Sequence, residues 1–344
     1  MRRRSTVPLL LVMILFLLSV GSFFADPSAS AQPPLPITIG YQSNTDWLLF
    51  VARDLKLFEK AGLTPTFVKF AAGPPMIAAA QEKRIDVTTV GCVPYLLGLG
   101  QSLDWVIIGV NPEQAYGEGI VAGKGSGIAT VADLAGKRIG FVKGSTAHFG
   151  LAMALRQIGI RRDQVQLLDM PPAEQLTALK SNEIDAAMVW EPWVQKMVHE
   201  ANARLIITEG EMGIYVSVSV YSARREWLQD YRETAVRFLR AILMASDLIK
   251  KDPGIGVKVL AKEIGIKEAW AEEIYENVPP PEISQWTDPR YRYSLVKGSA
   301  FNRRLGYLAS FLVDEKIVPL EIDARDILDV SIITEALKTR ETSR

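Results

Sequence analysis

From Ile37 onward the chain alternates short apolar runs with longer stretches whose apolar residues recur at helical spacing. Ile37 to Tyr41 reads as a strand. Trp47 to Ala61 reads as a helix stopped by Gly62. Pro65 to Phe70 is the next strand, Gly73 and Pro74 open a helix over Met76 to Lys83, and Ile85 to Val90 is a third strand. Strands separated by helices predict a mostly parallel sheet, because parallel neighbours need a crossover connection.

About 100 residues later the same order returns. Arg138 to Val142 is a strand in which Ile139-Gly140-Phe141 echoes Ile39-Gly40-Tyr41. A helix over Thr146 to Ile158 ends at Gly159, and Val165 to Leu168 is a strand. Pro171 and Pro172 open a helix over Ala173 to Ser181. Ile184-Asp185 echoes Ile85-Asp86, each followed by an apolar strand and then a proline, Pro192 or Pro94. Five elements in one order at nearly constant offset predict two related lobes. Open α/β sheets bind ligands beyond the carboxyl ends of their strands, so two such lobes would face one cleft.

The connections set the boundaries. Val106 to Val110 should finish the first sheet, and Asn111 to Gly119, polar and glycine-containing, should cross to the second lobe. Ile214 to Tyr221 should carry the chain back. This predicts a first lobe over residues 32–114 and 218–344, including mostly helical C-terminal residues, and a second lobe over 115–217. Tyr231 to Lys251 carries Val236, Leu239, Leu243 and Leu248 as a helical stripe. Two crossings form a hinge that permits closure over a ligand.

The first 31 residues differ from the rest. Arg2, Arg3 and Arg4 precede the apolar run Leu9 to Val20, and Ala29-Ser30-Ala31 offers a cleavage site before Gln32. That order is expected of a cleaved signal peptide, and the run is shorter than the ~20 residues of a bilayer span. Removing three arginines and Asp26 takes the formal charge from +0 to −2. No basic excess remains for nucleic acid. Cys92 is the single cysteine, so no intramolecular disulfide can form, and the leader holds no thiol for lipid attachment. A free periplasmic monomer is expected. His148 and His199 are the only histidines, which excludes a histidine-rich metal cluster. GxSxG, HExxH, Walker A and EF-hand patterns are missing, so no catalytic residue, metal or cofactor is assigned.

Candidate ligand contacts lie at strand ends. Gly144-Ser145-Thr146-Ala147-His148 follows a strand and opens a helix, where unpaired N–H groups favour an anion. Ser145 and Thr146 could equally be plain caps, and His148 could face the cleft or pack inside. Gly73 and Pro74 could meet the ligand from the other lobe. Gln42, Asn44, Asp46 and Trp47 lie just beyond the first strand, although Asn44 suits a turn and Asp46 a helix cap. Trp190 could wall a pocket or sit in the core. Glu191 could bind an amine or complement the next helix dipole. Cys92 and Val93 precede Pro94, and Gln114 and Tyr215 lie one in each crossing.

The segments IGYQSNTD (Ile39 to Asp46), AAGPPMIAAAQEKRIDV (Ala71 to Val87), GSTAHFGLAMAL (Gly144 to Leu155) and PPAEQLTALKSNEIDAAMVWEPW (Pro171 to Trp193) resemble those of periplasmic solute-binding proteins of the taurine, alkanesulfonate and nitrate group, also described as NMT1/THI5-like. The last two look most like taurine-binding members. The resemblance implies a type II periplasmic-binding-protein fold, α/β, with two lobes of mostly parallel sheet flanked by helices and joined by two hinge crossings. It implies a ligand clamped between the lobes and handed to an ABC permease with its cytoplasmic ATPase. Ser145, Thr146 and His148 match the motif that meets the sulfonate, and Glu191 stands where an amine-binding aspartate is usual. Gly91-Cys92-Val93-Pro94 departs from the usual small hydroxyl residues, which opens the alternative of a larger apolar or aromatic acid. Some relatives make a thiamine pyrimidine precursor with cysteines and histidines, but this chain has one cysteine. A regulator with similar lobes would need an N-terminal helix-turn-helix, where this chain has its leader.

Overall fold

The computed structural model describes residues 33–215, 217–314 and 322–341, so the expected leader lies outside the described residues. The first half runs β1 (Leu35–Gln42), α1 (Trp47–Asp54), α2 (Leu57–Lys60), β2 (Leu63–Phe70), α3 (Gly73–Gln81), β3 (Val87–Gly91), α4 (Cys92–Leu99) and β4 (Trp105–Glu113). The helix expected over Trp47 to Ala61 is therefore broken. Lys56 takes left-handed backbone, φ 54°, and the bend turns Leu57 and Phe58 into the core.

The second set runs β5 (Glu118–Ala122), β6 (Arg138–Phe141), α5 (Thr146–Gln157), β7 (Gln166–Asp169), α6 (Pro172–Lys180), β8 (Ala186–Trp190), α7 (Trp193–Glu200) and β9 (Arg204–Thr208). Then β10 (Val218–Arg224) returns, followed by α8 (Arg225–Asp230), α9 (Arg232–Lys251), α10 (Pro253–Ile264), α11 (Glu268–Asn277), α12 (Ala300–Asp314) and α13 (Ser331–Glu341).

The strands form two five-stranded sheets, β2-β1-β3-β10-β4 and β7-β6-β8-β5-β9. In each, four strands run one way and the fourth in order runs against them. That reversed strand is the one each crossing delivers: β5 follows β4 into the second sheet, and β10 follows β9 back into the first. The mostly parallel expectation holds, with one antiparallel strand per sheet.

The sequence echo is also an echo in hydrogen bonding. Asp86 Oδ2 accepts from Thr38 N at 2.9 Å, and Asp86 N donates to Thr38 O. Asp185 Oδ2 accepts from Arg138 N at 2.8 Å, and Asp185 N donates to Arg138 O. Each aspartate clamps the neighbouring strand and pairs with an arginine, Arg224 or Arg138.

The first sheet shares its core with the C-terminal helices. Along α9, Val236, Leu239 and Leu243 are buried, as the stripe predicts, and Phe238 stacks on Phe58 with ring centroids 5.6 Å apart. Among the described residues no helix is long and apolar enough to cross a membrane.

Candidate functional site

Three helices begin at one place. α3 starts at Gly73 after β2, α4 starts beyond Gly91 after β3, and α5 starts at Thr146 after β6. Gly73, Gly91 and Thr146 all line one small cavity between the two sheets. Each helix start carries about half a positive charge and N–H groups, although Pro74 and Pro75 of α3 and Pro94 of α4 supply none. The two sides approach closely here, for a methyl group on Gly91 would fall 3.0 Å from Thr146 Cγ2. Gly144, at φ +77°, makes the turn into α5 that presents Ser145 and Thr146.

The structure brings together Gln42, Asn44, Gly73, Gln114, Ser145, Thr146 and Trp190 from the sequence candidates. Five buried polar atoms of the lining have no hydrogen-bond partner among the described residues: Gln42 Oε1, Asn44 Nδ2, Gln114 Oε1, Glu118 Oε1 and Trp190 Nε1. An unpaired buried polar group costs about 1–3 kcal/mol, so five around one space mark a place built for a polar guest. The cavity measures about 20 Å³, room for roughly one water, so any larger guest requires the sheets to part.

Glu118 is the one ionisable residue in that lining, and sequence reasoning missed it, together with Gly91, Pro94 and Ser219. Its Oε2 accepts from Thr146 Oγ1 at 3.2 Å. Burial pushes its carboxyl up to about 7, against the lowering effect of the Ser217 and Thr146 hydroxyls. Glu209 lies beside it, its N–H donating to Glu118 O at 2.9 Å and its Oε2 accepting from Ser217 Oγ. Burial, reinforced by the neighbouring Glu118 carboxyl, holds Glu209 well above the carboxylate range. The available signal was a glutamate at the mouth of an apolar strand inside the polar first crossing.

Other candidates serve elsewhere. Asp46 caps α1, accepting from Leu49 N at 3.1 Å, and accepts Tyr221 Oη at 2.6 Å. Trp47 is fully buried, donates from Nε1 to Val278 O at 2.7 Å and meets Tyr275 edge to face. Ser145 caps α5 by accepting from His148 N at 3.1 Å, and its hydroxyl donates to Val142 O. The His148 ring tilts against Phe141 and faces a different cavity, shared with Lys143 and Arg162. Burial lowers its pKa.

Glu191 is buried behind the site at the start of α7, where its Oε2 accepts from Gln195 N at 3.2 Å. Burial pushes its carboxyl up to about 8. Cys92 and Val93 are buried in the first turn of α4 without lining the cavity, and burial pushes the Cys92 thiol up to about 12, so it stays protonated. Pro74 stands across from Gly144. Tyr215 is on the surface of the return crossing, its ring edge to face with Tyr116 of the first crossing, centroids 6.4 Å apart. Backbone bonds from Gln114 N to Ser217 O and from Gly210 N to Ala115 O also tie the crossings together.

This lining offers donors and acceptors to a polar guest. Its histidines are elsewhere and its one carboxyl faces a hydroxyl. Among the described residues no group of three or more His, Cys, Asp or Glu could hold a metal ion.

Known proteins resemble this chain in sequence and fold. A curated relative from Escherichia coli (strain K12), named for binding aliphatic sulfonates, is 28% identical over 316 residues, covering 90% of this chain and 92% of its own. The taurine-binding periplasmic protein of the same organism is 23% identical over 224 residues, 64% of this chain and 69% of its own. The alkanesulfonate-binding protein SsuA from Xanthomonas axonopodis pv. citri, bound to MOPS, superposes with a TM-score of 0.73 at 25% identity, covering 84% of this chain and 96% of its own. These relatives are binding proteins by name, and a family profile covers both sheets, from residue 30 to residue 265. The two-sheet fold, the helix starts at the shared cavity and that profile lead to one assignment: the chain belongs to the NMT1-like family.

Proposed function

We propose that this protein is the extracytoplasmic solute-binding component of an ABC-type importer and that it takes a small organosulfonate, anionic or zwitterionic. The observation that carries this reading is the convergence of three helix starts and five unpartnered buried polar atoms on one space between two sheets. A sulfonate has three acceptor oxygens and no donor. The N–H groups at the helix starts satisfy it, with Asn44 Nδ2 and Trp190 Nε1 as further donors. With no lysine or arginine in the lining, oriented dipoles provide the positive potential. Glu118 supplies the acceptor for an ammonium or hydroxyl at the other end of the guest.

In this reading residues up to 114 and from 218 form one lobe and residues 115–217 the other. The paired crossings are the hinge, and opening admits the guest that the 20 Å³ cavity does not. The chain delivers its load to a membrane permease driven by a cytoplasmic ATPase, after export to the periplasm. The names of its relatives support that role.

The test is thermal unfolding against a panel of sulfonates, amino acids, carboxylates, aromatic acids and thiamine-related pyrimidines. Ligand at 100 times its Kd adds ~2.7 kcal/mol of stability. A sulfonate that raises Tm, with no turnover on prolonged incubation, is the expected result. Silence from every sulfonate beside a response to another class would overturn the substrate class.

A further inference from the structure

The two crossings are not alone between the sheets. The last pair joining β4 to β10 is Glu113 with Val218, so any bending between the sheets falls on the crossings beyond that pair. The stretch from Val278, just past α11, to Arg304, on α12, lies against them at three points. Val278 packs on the first crossing, where a methyl group on Gly117 would fall 2.3 Å from Val278 Cγ2. Arg292 Nη2 pairs with Glu113 Oε2 at 2.6 Å. Arg304 donates from Nη1 to the Tyr215 carbonyl of the return crossing at 3.1 Å.

One ring joins the two arginines. Arg292 Cζ lies 4.9 Å and Arg304 Cζ 5.6 Å from the centre of the Tyr293 ring. Tyr293 is buried, edge to face with Phe301 of α12, centroids 5.8 Å apart. A guanidinium can lie on an aromatic face and donate hydrogen bonds in its own plane at the same time, so arginine suits both positions better than lysine. A continuous path thus runs from Glu113, at the head of the first crossing, through Arg292, Tyr293 and Arg304 to the Tyr215 carbonyl of the return crossing. The stretch is fixed to the first sheet behind this path. Trp286 packs on β4, where a methyl group on Gly109 would fall 3.0 Å from its ring, and Val278 O accepts from Trp47 Nε1.

We infer that residues 278–304 brace the hinge, and that Arg304 is a positioning residue which, by holding the Tyr215 carbonyl, restrains the parting of the two lobes. This rests on the reading of the paired crossings as a hinge and adds a third support, supplied by the C-terminal region. α12 is anchored in the first core by Phe301, Leu305 and Leu308, so bending of the return crossing at Tyr215 displaces its carbonyl from Arg304. Tyr215 serves here through its backbone.

The experiment is hydrogen–deuterium exchange on the ligand-free protein and on Arg304→Leu, Arg304→Lys and Arg292→Gln. The amides to read are those of Gln114 and Gly210, which bond across the crossings to Ser217 O and Ala115 O. In Arg304→Leu they should exchange about tenfold faster, since a ring contact and a charged hydrogen bond are lost together. The amides of β3 and β8 should keep the parent rate. Arg292→Gln should act in the same direction, and Arg304→Lys should lie between Arg304→Leu and the parent. Unchanged exchange at the crossings in Arg304→Leu would overturn the brace. An equal acceleration in β3 and β8 would also overturn it, by making Arg304 an ordinary stabilising contact. The parent is measured again with taurine and with ethanesulfonate. Slowed exchange at the crossings with either sulfonate, beside variants that behave as the parent, would overturn the brace and leave the binding reading standing. Variant effects as expected, with no response to either sulfonate, would leave the brace standing and overturn the sulfonate reading.

Discussion

The imidazole of His199 lies face to face on the indole of Trp270, ring centroids 4.1 Å apart and planes 6° from parallel. His199 ends α7, beside the second sheet, while Trp270 belongs to α11, which the Tyr275–Trp47 contact ties to the first. The stack thus bridges the two sides of the proposed cleft in the closed arrangement. Aromatic pairs of this kind contribute about 0.5–1.5 kcal/mol. Trp270→Ala should therefore weaken ligand binding by about two- to tenfold, chiefly through faster release, with Trp270→Phe in between. Stopped-flow dissociation rates check this; an unchanged rate in Trp270→Ala would remove the stack from closure.

The Glu118 carboxyl, pushed up to about 7 by burial, should give two ligands opposite pH dependences. A guest with an ammonium group favours the ionised carboxylate, so taurine affinity should rise with pH through about 7 and then level off. An amine-free sulfonate favours the protonated carboxyl, so ethanesulfonate affinity should be level below about 7 and fall above it. One linked proton limits either slope to about tenfold per pH unit. Parallel profiles for the two ligands would place Glu118 away from the guest.

The same burial has a cost in the unliganded protein. Because the folded state holds the Glu118 proton more tightly than the unfolded chain does, stability is greatest below the ordinary glutamate value of 4.5 and is lost as pH rises towards about 7. At 1.36 kcal/mol per unit the loss is at most about 3 kcal/mol. Glu118→Gln should escape this portion, leaving the variant more stable than the parent at pH 8 and little changed at pH 4.5. Urea melts at the two pH values test it, and equal melts for parent and variant at pH 8 would contradict it.

Ser145 and Thr146 are neighbours with different duties. Ser145 uses its hydroxyl on the α5 cap and on Val142 O. Ser145→Ala should cost about 1 kcal/mol of stability, and binding should suffer less than folding. Thr146 uses its hydroxyl on Glu118 in the cavity. Thr146→Val should leave stability closer to the parent and weaken sulfonate binding about tenfold. Calorimetric binding and denaturant melts on both variants separate the two roles; interchanged effects would reverse the assignment.

The alternation of strands and helices was legible because each element carries its own local signals, such as the proline-opened starts of α3 and α6 and the clamping Asp86 and Asp185. Helical geometry also held an answer the sequence reading did not use. Thr146 and His148 are two residues apart on α5, so they project to different sides and cannot share one cavity. Trp47 was ambiguous for a different reason: its partner, Val278 O, lies in the C-terminal region and only the folded chain brings it near. Glu118 had a local signal, a glutamate at the mouth of an apolar strand, but its place in the cavity is set by pairing with Trp190 of β8, which lies far along the chain.

The exchanged strands also bear on the order in which the chain can fold. Val220 of β10 pairs with Val90 and with Val110, partners more than a hundred residues earlier. Until β10 arrives, β3 and β4 have no strand between them and the first sheet stays in two pieces. Its completion waits for the whole second sheet to be made and passed. Contacts so distant in sequence form slowly, since loop closure must precede the gain from pairing. A chain emerging from a ribosome thus keeps its first sheet incomplete over most of its synthesis.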